Sequence, residues 1–214
     1  MMVTPVLRAG AWPAVMGISG VAVVVGGCGV AFPATATALF PIAFTLLAAA
    51  AAFAVDEPAS QVVDVTPTGP VRRTGIRAVA LLAPLAAGAV LMLAGAQRGL
   101  ALSWAAAGLA LAGNVVLGFA VACVARTRTG EPGARASAAV VLVVMAPTLL
   151  PPLARQVSTF PTSGGDGLSS NTLWWPVLAV CVAAVVVSVN GRPLPRWLRG
   201  LRRPRPVYPS HQLL

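Results

Sequence analysis

From Ala9 to Val55 the chain runs for 47 residues without a single charged side chain. One helical crossing of a bilayer needs about 20 apolar residues, so a run of this length is at once too long for one span and too apolar for a soluble core helix. Four more charge-free runs lie beyond it: Ala78 to Gln97, Gly99 to Ala125, Ala136 to Ala154 and Gly167 to Gly191. Composition closes off the soluble alternative. Only 9% of the 214 residues are charged, 57% are hydrophobic and mean hydropathy is +0.85, whereas a soluble domain carries roughly 25% charged residues. Apolar side chains at this density cannot all be hidden inside a particle of this size. The solvent for most of the chain is therefore lipid.

The first run carries Pro33 beside the small, turn-tolerant residues Ala34, Thr35 and Ala36, so it reads as two helices joined by a tight turn. Each later run supplies one helix. The expected fold is an all-α integral membrane protein with six transmembrane helices, at 11–31, 35–55, 77–97, 101–125, 136–154 and 173–190. No stretch alternates with the period of two that marks a membrane β-barrel. All 15 cations are arginine. Thirteen of them fall on one side of this layout (Arg8, Arg72, Arg73, Arg77, Arg126, Arg128, Arg135 and the six from Arg192 to Arg205), and only Arg98 and Arg155 on the other. Short loops rich in arginine stay in the cytoplasm, so the expected topology has both termini inside, with residues 1–10 and 191–214 cytoplasmic, in a bacterial plasma membrane. The net charge of +10 is then a record of topology and calls for no nucleic-acid partner. A lipoprotein-like reading of Val25-Gly26-Gly27-Cys28 after Arg8 is the weaker one, because Cys28 leads into another apolar helix and not into a hydrophilic domain.

The chain contains no lysine, which removes P-loop ATP hydrolysis, Schiff-base chemistry and a lysine general base. None of the six expected spans holds Asp, Glu, Arg or His at depth, where ionisable groups are costly and mark function. Gly17-Ile18-Ser19-Gly20 matches a Gly-x-Ser-Gly nucleophile pattern, but the sole histidine is His211, near the C-terminus, and a serine without a base is inert. Cys28, Cys123 and Cys181 lie in three different spans with no ligand spacing for zinc. No metal, cofactor or catalytic residue is expected. Asn114 is the most polar group of the fourth span and reads as an interhelical hydrogen-bond donor. Trp174 and Trp175 open the sixth span at the depth where indoles anchor to the outer interface.

Two cytoplasmic stretches carry more information. The connection between spans two and three, residues 56–76, holds Asp56, Glu57 and Asp64, three of the five acids in the protein, with Arg72 and Arg73 beyond them and Arg77 just after. Pro58 is placed to open a short helix, with Val62, Val63 and Val65 as an apolar patch, ended by Pro67, Gly69 and Pro70. A solvated connector whose acids pair with its own arginines is the plainer reading. The tail includes Arg196, Trp197, Leu198, Arg199, Leu201, Arg202 and Arg203. In a short helix the Trp and Leu side chains would form one apolar side among arginines, which is the pattern of a segment lying on anionic lipid.

Val55-Asp56-Glu57-Pro58-Ala59, then Thr66-Pro67-Thr68, then Arg72-Arg73, together with the six-span layout, resembles an actinobacterial family of small six-helix ABC transporter permease subunits. The resemblance covers about 22 residues of loop. It implies a permease that pairs with a second copy or a homologous chain and with separate ATPase subunits, the loop bearing Asp56, Glu57, Asp64, Arg72 and Arg73 being the element that docks on the ATPase. Two readings from other classes compete with it: a non-catalytic structural or accessory subunit of a membrane complex, and the substrate-capture subunit of an energy-coupling importer.

Overall fold

The computed structural model describes residues 11–56, 70–100, 103–127, 132–150, 160 and 170–190. Among these the chain is all-helical. Helix α1 spans Trp12–Ala31, α2 Ala36–Phe53, α3 Pro70–Ala78, α4 Leu82–Gln97, α5 Trp104–Arg126, α6 Gly133–Leu149 and α7 Ser170–Val189. Five stretches are long and apolar enough to cross a membrane: Trp12–Ala31, Pro33–Phe53, Arg73–Gln97, Trp104–Arg126 and Thr172–Val189. The sixth apolar helix, α6, is shorter, at 17 residues.

The first two spans are joined as the proline predicts. Residues Pro33–Thr35 form one tight 3-10 turn, and Thr35 seals it by donating from both its amide (2.9 Å) and its Oγ1 (2.8 Å) to the carbonyl of Phe32. Several boundaries move. Pro70, read as the end of a loop helix, is instead the first residue of α3. A proline is tolerated there because the first-turn N–H has no helical partner to lose. The arginine pair Arg72-Arg73 therefore sits on a helix that runs through the 3-10 turn Val79–Leu81 into α4. The fifth span, expected at 136–154, starts earlier, at Gly133, and stops at Leu149. Its end is set by the residue that precedes Pro151: clash with the proline ring drives Leu150 out of the helical region, and its φ of −105° and ψ of 105° are extended. Helix α4 ends in a left-handed Gly99, φ +68°. The Leu100 amide bonds back to the Gly95 carbonyl (3.1 Å) and the Gly99 amide to that of Ala96 (3.0 Å), a complete Schellman cap. Gly99→Ala forces a Cβ into this left-handed position and should cost about 1–2 kcal/mol; a thermal melt unchanged from the parent would contradict the cap.

Helices α2 and α5 form the centre of the bundle. They pack on each other; α1, α4 and α6 pack on α2, and α4, α6 and α7 on α5. Close approach of the two central helices comes from their side chains. The α2 segment Ala48 to Ala52 is buried throughout, and on α5 Gly118 lies against the carbonyl of Ala48. With lipid as apolar as any side chain, helices in a membrane associate by dispersion between tightly apposed backbones. Alanine and glycine permit that contact, while many leucines and valines face outward: Val24 on α1, Leu93 on α4, Leu142 on α6 and Val180 on α7 are all exposed.

At one end of the core, Phe40 and Phe44 of α2 stack with Phe160, with ring centroids 5.3 to 6.2 Å apart. Phe160 belongs to the connection before the last span, which the sequence presents only as a turn-rich loop, yet its ring is buried. Edge-to-face aromatic pairs of this kind contribute about 0.5–1.5 kcal/mol beyond burial.

Candidate functional site: the charged end of the bundle

The described charged residues segregate. Trp12 and Val15 of α1, Ala54 and Val55 past α2, Ala78 at the end of α3 and Ala80 between α3 and α4, Cys123 of α5, Ala136 of α6 and Val185 of α7 all belong to one apolar cluster. That cluster marks one end of the bundle, and Arg72, Arg73, Arg77, Arg126 and Arg135 belong to the same end. Arg98 caps α4 at the other.

At this end two charged side chains bind the termini of helices other than their own. Asp56, three residues past the end of α2, accepts a hydrogen bond at Oδ1 from the amide of Gly133, 2.7 Å away. Gly133 is the first residue of α6, so this N–H is one of the donors that a helix leaves unpaired. The preceding residue is Pro132, which offers no capping side chain, and the first turn of α6 contains Arg135 and no acid. A cation there opposes the helix dipole. Asp56 supplies from 77 residues away the anion that the local sequence lacks. The fit is tight: a Cβ at position 133 would meet Asp56 Cγ at 2.7 Å and Phe53 Cδ1 at 2.8 Å, so only glycine is compatible with it.

The second contact runs the other way. Arg126, the last residue of α5, donates from Nη1 to the carbonyl of Val55 at 2.6 Å. It places a positive charge at the C-terminal end of α2, where the dipole favours one. Hydrogen bonds to charged groups contribute about 1.5–3 kcal/mol each. Together the two contacts tie α5 to α2 and α2 to α6 just before Glu57 in the chain. Arg73 and Arg77 on α3, where the chain returns, are likewise engaged.

Of the other residues that the sequence singles out, Glu57 and Asp64 lie outside the described residues, as do Arg196, Trp197, Arg199, Arg202 and Arg203 of the tail. Arg72 and Arg73 are both on α3. The tryptophan pair divides: Trp175 is 66% exposed, whereas Trp174 is 2% exposed, its ring filling the space over Gly113 of α5. Adjacent residues on a helix point about 100° apart, so only one of two can face outward. Asn114, expected to bond across helices, instead donates from Nδ2 to the Ala110 carbonyl of its own helix at 2.8 Å; its Oδ1 is buried without a partner among the described residues. The Ser19 hydroxyl is also buried and unpartnered among them. Among the described residues no group of His, Cys, Asp and Glu is arranged to hold a metal.

Sequence reasoning singles out Asp56 but misses Arg126 and Gly133. Arg126 looks like one more topology charge, and Gly133 like an ordinary turn residue. The available signal is an α6 with a glycine start, no acid in its first turn and no capping side chain before it.

Compared with known protein families, with curated proteins and with solved structures, the chain matches none.

Proposed function

We propose that the chain is the transmembrane permease subunit of an ATP-driven, ABC-type transporter in a bacterial plasma membrane. It works as a six-span, N-in/C-in protein with a second permease copy or homologous chain and with separate ATPase subunits. The observation that carries this reading is the construction of the charged end. The connection from Asp56 to Arg73 leaves from α2 and returns on α3, and its first residue is bound to α6 while the carbonyl before it is bound to α5. Force applied to this connection reaches four helices directly, as a coupling loop requires. Two further facts support the reading. No described apolar helix carries a charged side chain away from its ends, which leaves conformational change as the mechanism, and a lysine-free chain needs its nucleotide site on another polypeptide.

Purification in a mild detergent tests this. An ATPase chain is expected to co-purify in stoichiometric amount, and a protein that runs alone would instead be an accessory or substrate-capture subunit. Within the complex, Glu57→Lys combined with Asp64→Lys should reduce substrate-stimulated ATP hydrolysis to the basal rate. Stimulation equal to that of the parent would exclude this loop as the docking element. Asp56 is unsuited to that test, because its carboxylate is committed to α6.

A further inference from the structure

We propose that Asp56 and Arg126 form a latch that holds the near end of α6 on the bundle, and that displacement of the chain at Glu57 opens it, freeing α6 to move. The latch is a property of this chain alone; its use in coupling rests on the permease reading above.

The packing of α6 makes it the helix such a latch would control. Among the described helices it packs on α2 and α5, and its central apolar seam is narrow: Val140 and Val144 against Ala48, flanked by Leu117 and Val121. One polar contact crosses farther along, from Thr45 Oγ1 to Met145 Sδ at 3.4 Å. The outward side, with Leu142 and Val143, is exposed. At its N-terminal end, Ala136 joins the apolar cluster and the Asp56 carboxylate holds the Gly133 amide.

That carboxylate belongs to the first residue of the connection, so a pull on Glu57 acts on it with no intervening residue. Arg126 makes the arrangement a two-part device. By binding the Val55 carbonyl it fixes the backbone next to Asp56 and so holds the carboxylate at the α6 terminus. A movement large enough to break the Arg126 contact also withdraws Asp56, and both caps are lost together. The α6 terminus is then left with unpaired amides and Arg135 in its first turn, a combination that favours fraying. The acid is thus a positioning residue that faces inward, and partner contact falls to Glu57 and beyond.

The test is hydrogen exchange on the full chain in lipid nanodiscs, read at the amides of Gly133 and Ala136. Loss of a cap costs about 1 kcal/mol, so Asp56→Ala should accelerate exchange there roughly fivefold to tenfold. Asp56→Asn, which keeps an acceptor without the charge, should fall between the two. Gly133→Ala attacks the same contact from the other side and should reproduce the effect, which guards against a variant that merely misfolds. Arg126→Gln should raise exchange at the same amides by releasing the Val55 carbonyl, and Arg98→Gln at the opposite end should not. Unchanged exchange in Asp56→Ala and Gly133→Ala overturns the latch, as does an Arg126→Gln variant that leaves α6 protected. In a complex containing the ATPase, a non-hydrolysable ATP analogue should accelerate exchange at these amides; an unresponsive α6 there overturns the coupling role. A chain that binds no ATPase fails the permease reading instead, and the variants at Asp56, Gly133 and Arg126 still decide the latch.

Discussion

Gly118→Leu should yield no folded bundle, and Gly118→Ala should already be strongly destabilised. The two central helices approach each other here so closely that a Cβ at position 118 would run into the Ala48 carbonyl oxygen, with the carbonyl carbon at 2.8 Å and Cα at 3.3 Å. Those are backbone atoms. A crowded side chain relieves itself by changing rotamer, but a crowded backbone moves only with its helix, and α2 is packed against four neighbours. Overpacking ordinarily costs about 1–3 kcal/mol; here the alanine variant belongs at the upper end, because relief requires separating α2 from α5 along their length. Gly17 on α1 is the control. Nothing lies within 4 Å of a Cβ there, so Gly17→Ala should be neutral or stabilise by up to about 1 kcal/mol through higher helix propensity. Thermal unfolding of the purified variants in detergent reads both. Equal melting of the two alanine variants would show that α2 and α5 are not in backbone contact.

Trp174→Ala should detach α7, whereas Trp175→Ala should leave it in place. Helix α7 is attached almost entirely to α5, and several of its large residues, among them Val180, Val182 and Val186, are exposed. Trp174 is the largest side chain it buries, set over Gly113 in the same cluster as Phe40, Leu91 and Leu111. Removing a buried tryptophan costs about 3–5 kcal/mol, a large share of what one laterally attached helix can have. Cys181, buried on the same helix, reports the outcome. In a Cys28→Ser background, Trp174→Ala should expose Cys181 to a membrane-permeant maleimide and Trp175→Ala should not. Equal labelling in the two variants would mean that Trp174 is no anchor.

Both predictions turn on glycines whose sequence context is uninformative. In a chain with 21 glycines and long alanine runs, Gly17, Gly113 and Gly118 look alike. What distinguishes them is the neighbour across the interface, and that is a property of the assembled bundle. The same holds for the tryptophan pair. An interfacial position is legible from the end of the apolar run, but which indole turns inward depends on the helical phase relative to α5.

The sequence by itself determined that the chain is helical, that its apolar runs are long enough to cross a membrane, and where most helices begin and end. These conclusions rest on properties summed along the chain: apolar length against bilayer thickness, and proline and glycine at the breaks. Only the tertiary structure decided what the charged end does. Asp56 is bound to an amide 77 residues away, and Arg126 to a carbonyl 71 residues away. An unpaired helix terminus accepts any charge of the correct sign that the fold delivers to it. Neither partner is written near the other in the sequence, and neither could be paired until α2, α5 and α6 were seen to end at one place.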